Sequence, residues 1–356
     1  MTDRDARQVD LSDRVERYHG VSLAAVMEVI AYLRDPNDSV IAGGSLALGL
    51  GNQRSDLDLV VCGESTESSR MPLEHWVDSL RVDVWRRAQR DIDEVFERAE
   101  AKLCDDGPFS NAFGDLNEQT DLKLLHRIAF GILLDGPALE PASTRDYHAI
   151  ARDLVVREYA ERMRDLAAVA QLAAAAGDSV GASFNARLAV ESALQAAMTA
   201  RGLPFTGDKW LRERLRQDLP ELSSTYAPFA VLPDADEDAG SFVAAAVEAC
   251  HRLTGRDLSL SAHSGEVMFR NTDLRLMEMG TERFLVSVRH GALWELDDRE
   301  IEAWRKLEGD DSWRLAALDD DQSSLCYRLH QRGLAALDWA RGLPIEELQL
   351  EKAVGA

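Results

Sequence analysis

The sequence predicts an α+β chain in three parts, and three changes of texture carry that prediction. Up to about residue 140, short apolar strands alternate with amphipathic stretches, which argues for a layer of strands and helices. From Arg145 onward Ala, Leu, Arg and Glu dominate, all good helix formers, as in a helical bundle. From about Glu282 strand-like and helical segments mix again on a smaller scale. The parts run 1–140, 141–257 and 282–345. A chain of 356 residues has room for two or three domains.

Taken in order, residues 1–13 are polar and read as loose. Val21, Leu23, Val26, Val29, Ile30 and Leu33 fall at helical spacing. Asp35-Pro36-Asn37-Asp38 is a turn. Ser39 to Ala42 is a short strand that runs into Gly43-Gly44-Ser45, and small residues follow to Gly51. Asp56 to Cys62 and Arg81 to Trp85 read as strands, with a helix expected over Pro72 to Leu80. Helices are expected over Asp153–Ala176, Ser183–Arg201, Trp210–Leu215 and Ser241–Leu253, with a loop over 219–240. Segment 258–281 is ambiguous between strand and helix. A strand at Phe284–Val288 and helices at Arg299–Leu307 and Ser323–Arg332 complete the chain, with Gly333 as the C′ glycine of the last helix.

The formal net charge of −23 disfavours bulk nucleic acid and anionic membrane surfaces. It suits a cationic partner, and it does not exclude a nucleotide, because divalent metals screen a triphosphate locally. Cys62, Cys104, Cys250 and Cys326 have no metal-ligand spacing and read as reduced thiols. With no apolar signal core in Met1–Arg17 and no uncharged run of roughly 20 residues, the expected location is cytoplasmic. None of the eight histidines sits in a paired spacing, so all read as structural or surface residues.

The strongest chemical signal is Gly44-Ser45, then ten intervening residues, then Asp56-Leu57-Asp58. Strand side chains alternate, so Asp56 and Asp58 share a face about 7 Å apart while Leu57 and Leu59 enter the core. Such a pair suits magnesium, which takes a few carboxylates plus phosphate oxygens. In Arg81-Val82-Asp83-Val84-Trp85 the same alternation sets Asp83 opposite the valines, a third carboxylate if the strands are neighbours. A bound metal would relieve the repulsion among three acids, and two ions would serve the attacking and leaving oxygens. Gly44 permits close backbone approach to a phosphate, and Ser45 adds a hydroxyl. Arg54 and Ser55 stand just before the acids and are placed to assist. Each piece alone is ordinary: a solvated strand edge, a turn, an exposed alternation position. Their combination is what points to catalysis.

At these residues the chain resembles the DNA polymerase β-type nucleotidyltransferase superfamily. The pattern is matched by Val40-Ile41-Ala42-Gly43-Gly44-Ser45, Asp56-Leu57-Asp58 and Asp83, over about residues 20–140. The resemblance implies a mixed sheet with flanking helices, a nucleoside triphosphate donor, two Mg2+ ions and in-line attack on the α-phosphate. The helical middle resembles the bundle of small antibiotic nucleotidyltransferases, such as the kanamycin and lincosamide enzymes. Arg187-Leu188-Ala189-Val190-Glu191 and Gly202-Leu203-Pro204-Phe205-Thr206-Gly207-Asp208-Lys209-Trp210-Leu211 carry that likeness. It implies Lys209 and Arg187 as phosphate contacts and Glu191, one turn beyond Arg187, as a general base; otherwise Arg187 and Glu191 are a surface ion pair. The last part resembles the small winged-helix peptide-binding protein of pyrroloquinoline quinone biosynthesis. The likeness rests on Phe284-Leu285-Val286, Leu293-Trp294-Glu295-Leu296, Trp304 to Gly309 and Leu325 to Leu334. It implies a peptide- or partner-binding module, or a structural cap on the bundle; its many aspartates argue against a DNA-binding wing.

The function expected is magnesium-dependent transfer of a nucleoside monophosphate, AMP from ATP, to a hydroxyl of a small molecule, with release of pyrophosphate. Transfer to a peptide or protein in a natural-product pathway keeps the chemistry and changes the acceptor. A non-catalytic antitoxin or scaffold is the alternative from another class.

Overall fold

In the computed structural model the described residues are 3–64, 66–105, 116–139, 146–203, 208–234, 238–262, 267–270, 274–279, 282–287, 293–308, 313–339, 343, 345 and 348–350. They fall into two compact units. The first comprises Met1–Asp105, Phe109–Val156 and Met198–Ser223; the second takes Asp106–Pro108, Arg157–Ala197 and Ser224–Ala356.

The first unit is a five-stranded mixed sheet with helices on both faces. Its strands are β1 (Ser39–Gly43), β2 (Leu57–Gly63), β3 (Leu73–Val77), β4 (Leu80–Ala88) and β5 (Ile132–Asp135), in the order β3-β4-β2-β1-β5. β2 and β4 run parallel, and the other pairs are antiparallel. Period-two alternation splits β2 and β4 between two cores. Leu57, Leu59, Val61, Val82 and Val84 pack with Leu11 and Val15 of α1 (Asp3–His19) and Leu23 and Val26 of α2 (Leu23–Val29). On the other face, Ile41, Val60 and Cys62 meet α4 (Gln89–Cys104) and α5 (Leu116–Phe130), with α3 (Gly44–Ala47) the short helix after β1.

Two expectations fail here for physical reasons. Of the stretch expected to be loose, residues 3–13 belong to α1, which buries Leu11 and Val15 one turn apart. Arg14 donates to the Leu46 and Ala47 carbonyls at 3.0 and 3.3 Å, and Arg7 to the Phe130 carbonyl at 2.7 Å. These carbonyls lie in the last turns of α3 and α5, so a helix of polar composition is held by two buried apolar side chains and by its arginines. Pro72 to Leu80 is not a helix: β3 pairs with β4 through the two-residue turn Asp78-Ser79. Asp78 takes φ 51°, which aspartate tolerates. As an edge strand exposed along most of its length, β3 shows little apolar alternation.

In the second unit, α6 (Tyr147–Ala175, from Arg157 on) and α7 (Ser179–Ala200, up to Ala197) are lined with buried alanines, among them Ala167, Ala170, Ala186 and Ala193. α8 (Leu211–Gln217) and part of α9 (Pro220–Tyr226) return to the first unit, and α10 is Ala239–Thr254. The expected loop over 219–240 thus contains a helix, opened by Pro220, a residue favoured in a first turn.

The ambiguous segment 258–281 supplies strands β6 (Val267–Arg270) and β7 (Leu274–Met279). β7 forms an antiparallel meander with β8 (Glu282–Ser287) and β9 (Leu293–Glu295). β6 lies between β10 (Trp313–Arg314) and β11 (Ala335–Asp338). Helices α11 (Asp298–Glu308) and α12 (Asp320–Gln331) begin at reciprocal caps, Asp297 with Glu300 and Asp319 with Gln322. Some of the aspartates counted against DNA binding are therefore helix caps.

Val288, Phe205-Thr206-Gly207 and Gly309-Asp310-Asp311 lie outside the described residues. This C-terminal segment is stitched to α6. Trp339 Nε1 donates to Asp165, the Leu343 N–H donates to Glu161 at 3.1 Å, and the Arg164 guanidinium lies 4.2 Å from the Trp339 ring. Among the described residues no helix is long and apolar enough to cross a membrane.

Candidate active site

Strand register brings two of the acids side by side. Asp58 of β2 stands opposite Asp83 of the parallel strand β4, and Asp56 lies just before β2. Because Leu57, Leu59, Val82 and Val84 fill one core, Asp58 and Asp83 project from the other face, at the end of the layer formed by α4 and α5. Their side chains are each 13% exposed, and that of Asp56 is 37% exposed.

Two arginines meet these acids. Arg81 Nη2 bridges Asp56 Oδ2 at 2.6 Å and Asp83 Oδ2 at 3.0 Å. Arg127 of α5 places Nη2 2.7 Å from Asp58 Oδ1. Its guanidinium also lies 5.4 Å from the centre of the Trp85 ring, which Arg87 approaches to 5.0 Å. Burial pushes the Asp58 carboxyl above its ordinary value; Arg127 opposes that shift, while the charges on Asp56 and Asp83 add to it.

The paired glycines are explained by this crowding. Gly44 has φ +72°, and a Cβ there would overlap the Asp58 carboxylate. A Cβ on Gly43 would stand 2.8 Å from Arg127 Cγ. The turn is bare so that an acid and an arginine can meet against it. Ser45, half-buried, starts α3 beside Gly44. The Ser55 hydroxyl accepts from the Asn52 N–H at 3.0 Å and so shapes the loop before the acids, while Arg54 is exposed on that loop.

Among the described residues no three His, Cys, Asp or Glu side chains stand together at metal-binding spacing. The donor chemistry nevertheless fits a hard divalent cation: three carboxylates, two of them largely buried, already draw two guanidinium charges.

The remaining predicted residues are placed as follows. Lys209 is exposed, with Nζ 5.0 Å from the centre of the Trp210 ring, in the first unit. Arg187 and Glu191 belong to the second unit. Glu191 is no surface residue: at 8% exposure, its Oε1 accepts from Arg187 Nε at 3.1 Å and from Tyr226 Oη at 2.7 Å. The histidines include a buried one, His126, whose pKa burial pushes down to about 3. Of the cysteines, Cys62, Cys250 and Cys326 are buried and Cys104 is exposed, all as free thiols.

Sequence reasoning missed Arg81 and Arg127. Arg81 had a signal, since it lies two residues before Asp83 on one strand face. Arg127 had none, because it comes from a helix 69 residues beyond Asp58.

A family model described as a nucleotidyltransferase domain matches residues 26–106, which include Gly44, Ser45, Asp56, Asp58 and Asp83. Among solved structures, a nucleotidyltransferase-like protein from Exiguobacterium sibiricum is 13% identical. The match covers 68% of this chain and 73% of that one, with a TM-score of 0.27. No curated protein matches the chain. Residues 26–106 therefore form a nucleotidyltransferase domain.

Proposed function

We propose that the chain transfers a nucleoside monophosphate, AMP from ATP, to a hydroxyl of a small molecule and releases pyrophosphate, with Asp56, Asp58 and Asp83 holding two magnesium ions. The observation that carries this reading is the register of Asp58 against Asp83 beneath a glycine turn cut to admit it. Bound divalent cations would supply positive charge at the α-phosphate and make the acceptor hydroxyl easier to deprotonate. The protein's own part is orientation. Gly44, with no side chain, lets the backbone of the turn come close to a phosphate, and the Ser45 hydroxyl is a donor beside it. Arg54, Ser55 and Lys209 are the further triphosphate contacts in this reading.

The acceptor's proton needs a carboxylate. We assign it to Asp83, because Arg81 takes only its Oδ2 and leaves Oδ1. Glu191 is the second candidate, already accepting from Arg187 and Tyr226 at one oxygen. A net charge of −23 favours a cationic acceptor such as an aminosugar.

The test is pyrophosphate release from each of the four nucleoside triphosphates with Mg2+ and a panel of acceptors, alongside Asp58→Asn. Release with ATP that vanishes in Asp58→Asn while the variant keeps its melting profile supports the assignment. Retained turnover in that variant refutes it.

A further inference from the structure

The ion pair between Arg127 and Asp58 has a feature that fold stability alone does not require. Its surroundings are emptied for it: Gly43 clears the space beside Arg127 Cγ, Gly44 clears the space beside the Asp58 carboxylate, and Trp85 backs the guanidinium. The Arg127 Nε is buried with no hydrogen-bond acceptor among the described residues. An arginine placed for structure commonly uses its planar fork in two parallel bonds to one carboxylate. This one gives Asp58 a single bond, from Nη2 to Oδ1. It is therefore attached to Asp58 by one charge-assisted hydrogen bond, an interaction a metal ion can replace.

We propose that Arg127 is a resident counter-cation for the acid cluster: it holds Asp58 in place while the site is cation-free, and a divalent cation must take Asp58 from it. This rests on the metal-binding reading above and adds a competition to it. Three acids clustered at the end of one sheet face repel one another, and the positive charge that offsets this need not come from the same source in every state. Arg127 acts through Asp58, so it is a positioning residue. Removing it should weaken the cation-free protein but strengthen cation binding, a pair of effects that a purely structural arginine does not give.

The experiment measures Mn2+ binding to the full chain without nucleotide, by electron paramagnetic resonance of free Mn2+, for the wild type, Arg127→Gln, Arg127→Lys and Gly43→Ala. Arg127→Gln should bind Mn2+ roughly ten-fold more tightly, the scale of one lost hydrogen bond between charged groups. Arg127→Lys keeps the charge and should stay near the wild type. Gly43→Ala keeps every charge but crowds Arg127 away from Asp58, so it should also bind more tightly, which covers the case of an Arg127→Gln protein that does not fold. Thermal melting should show Arg127→Gln less stable than the wild type without Mn2+, with the gap narrowed at saturating Mn2+. Unchanged or weaker Mn2+ binding in both Arg127→Gln and Gly43→Ala overturns the competition. If the wild type and Asp58→Asn bind Mn2+ alike, the metal-binding reading itself has failed.

Discussion

Gly44→Ala is the sharpest perturbation of the site, because two separate costs converge on one atom. The first is backbone. Gly44 has φ +72°, and a residue with a Cβ loses about 1–2 kcal/mol in that region. The second is space. The new Cβ would occupy the position of the Asp58 carboxylate, which must turn away from Arg127 and give up a charged hydrogen bond worth about 1.5–3 kcal/mol. Asp58 recovers part of that by rotating toward solvent, so the expected loss is about 2–4 kcal/mol. Gly20→Ala separates the two costs, since Gly20 has φ +69° and nothing within 4 Å of its would-be Cβ. It should cost only the backbone part, about 1–2 kcal/mol. The assay is urea denaturation of both variants against the wild type, with pyrophosphate release measured where each remains folded. Gly44→Ala should be the less stable and should lose transfer, while Gly20→Ala should retain it. Equal stability of the two variants would show that Asp58 does not depend on a bare Gly44, and retained transfer in Gly44→Ala would sever the turn from the chemistry.

The other expectations concern the second unit. Glu191→Gln should leave turnover within a few-fold of wild type and lower the melting temperature slightly, because Asp83 is the assigned base; a fall of roughly 10²–10⁴-fold would move the proton to Glu191. Asp165, facing Arg164, Glu161 and Trp339, has its pKa pushed up to about 6 by burial, with Glu161 adding and Arg164 and the Trp339 hydrogen bond opposing. A raised carboxyl favours the folded state when protonated, so this contribution is lost as pH rises from about 4 through about 6. Asp165→Asn, which keeps an acceptor for Trp339, should flatten that slope and stabilise the protein near pH 7.5 by about 1–2 kcal/mol in chemical denaturation; an unchanged slope assigns it to other groups. Truncation before Glu282 removes Trp339 from Asp165 and Leu343 from Glu161, so the second unit should melt earlier or aggregate; an unchanged thermal profile would show that these contacts carry little.

How much of this was legible in the sequence depended on distance along the chain. Asp56, Asp58 and Asp83 could be assigned to faces because a strand's period of two is a local rule and the flanking Leu57, Leu59, Val82 and Val84 declare which side is core. That Asp58 would face Asp83 was not local. It depends on β2 and β4 pairing in parallel, with the edge hairpin of β3 between them in sequence, and the exposed β3 lacked the alternation that would have announced it. The polar α1 was invisible for a related reason: its arginines bond to carbonyls of α3 and α5, which composition cannot show. The same argument accounts for Gly43-Gly44. Read alone, the pair is a flexible turn before a serine. In the fold, one glycine makes room for Arg127 and the other for Asp58, and these two residues then bond to each other. The glycines therefore mark where a charged pair needs space. Gly43 replaced by alanine should disturb the ion pair before it disturbs the turn.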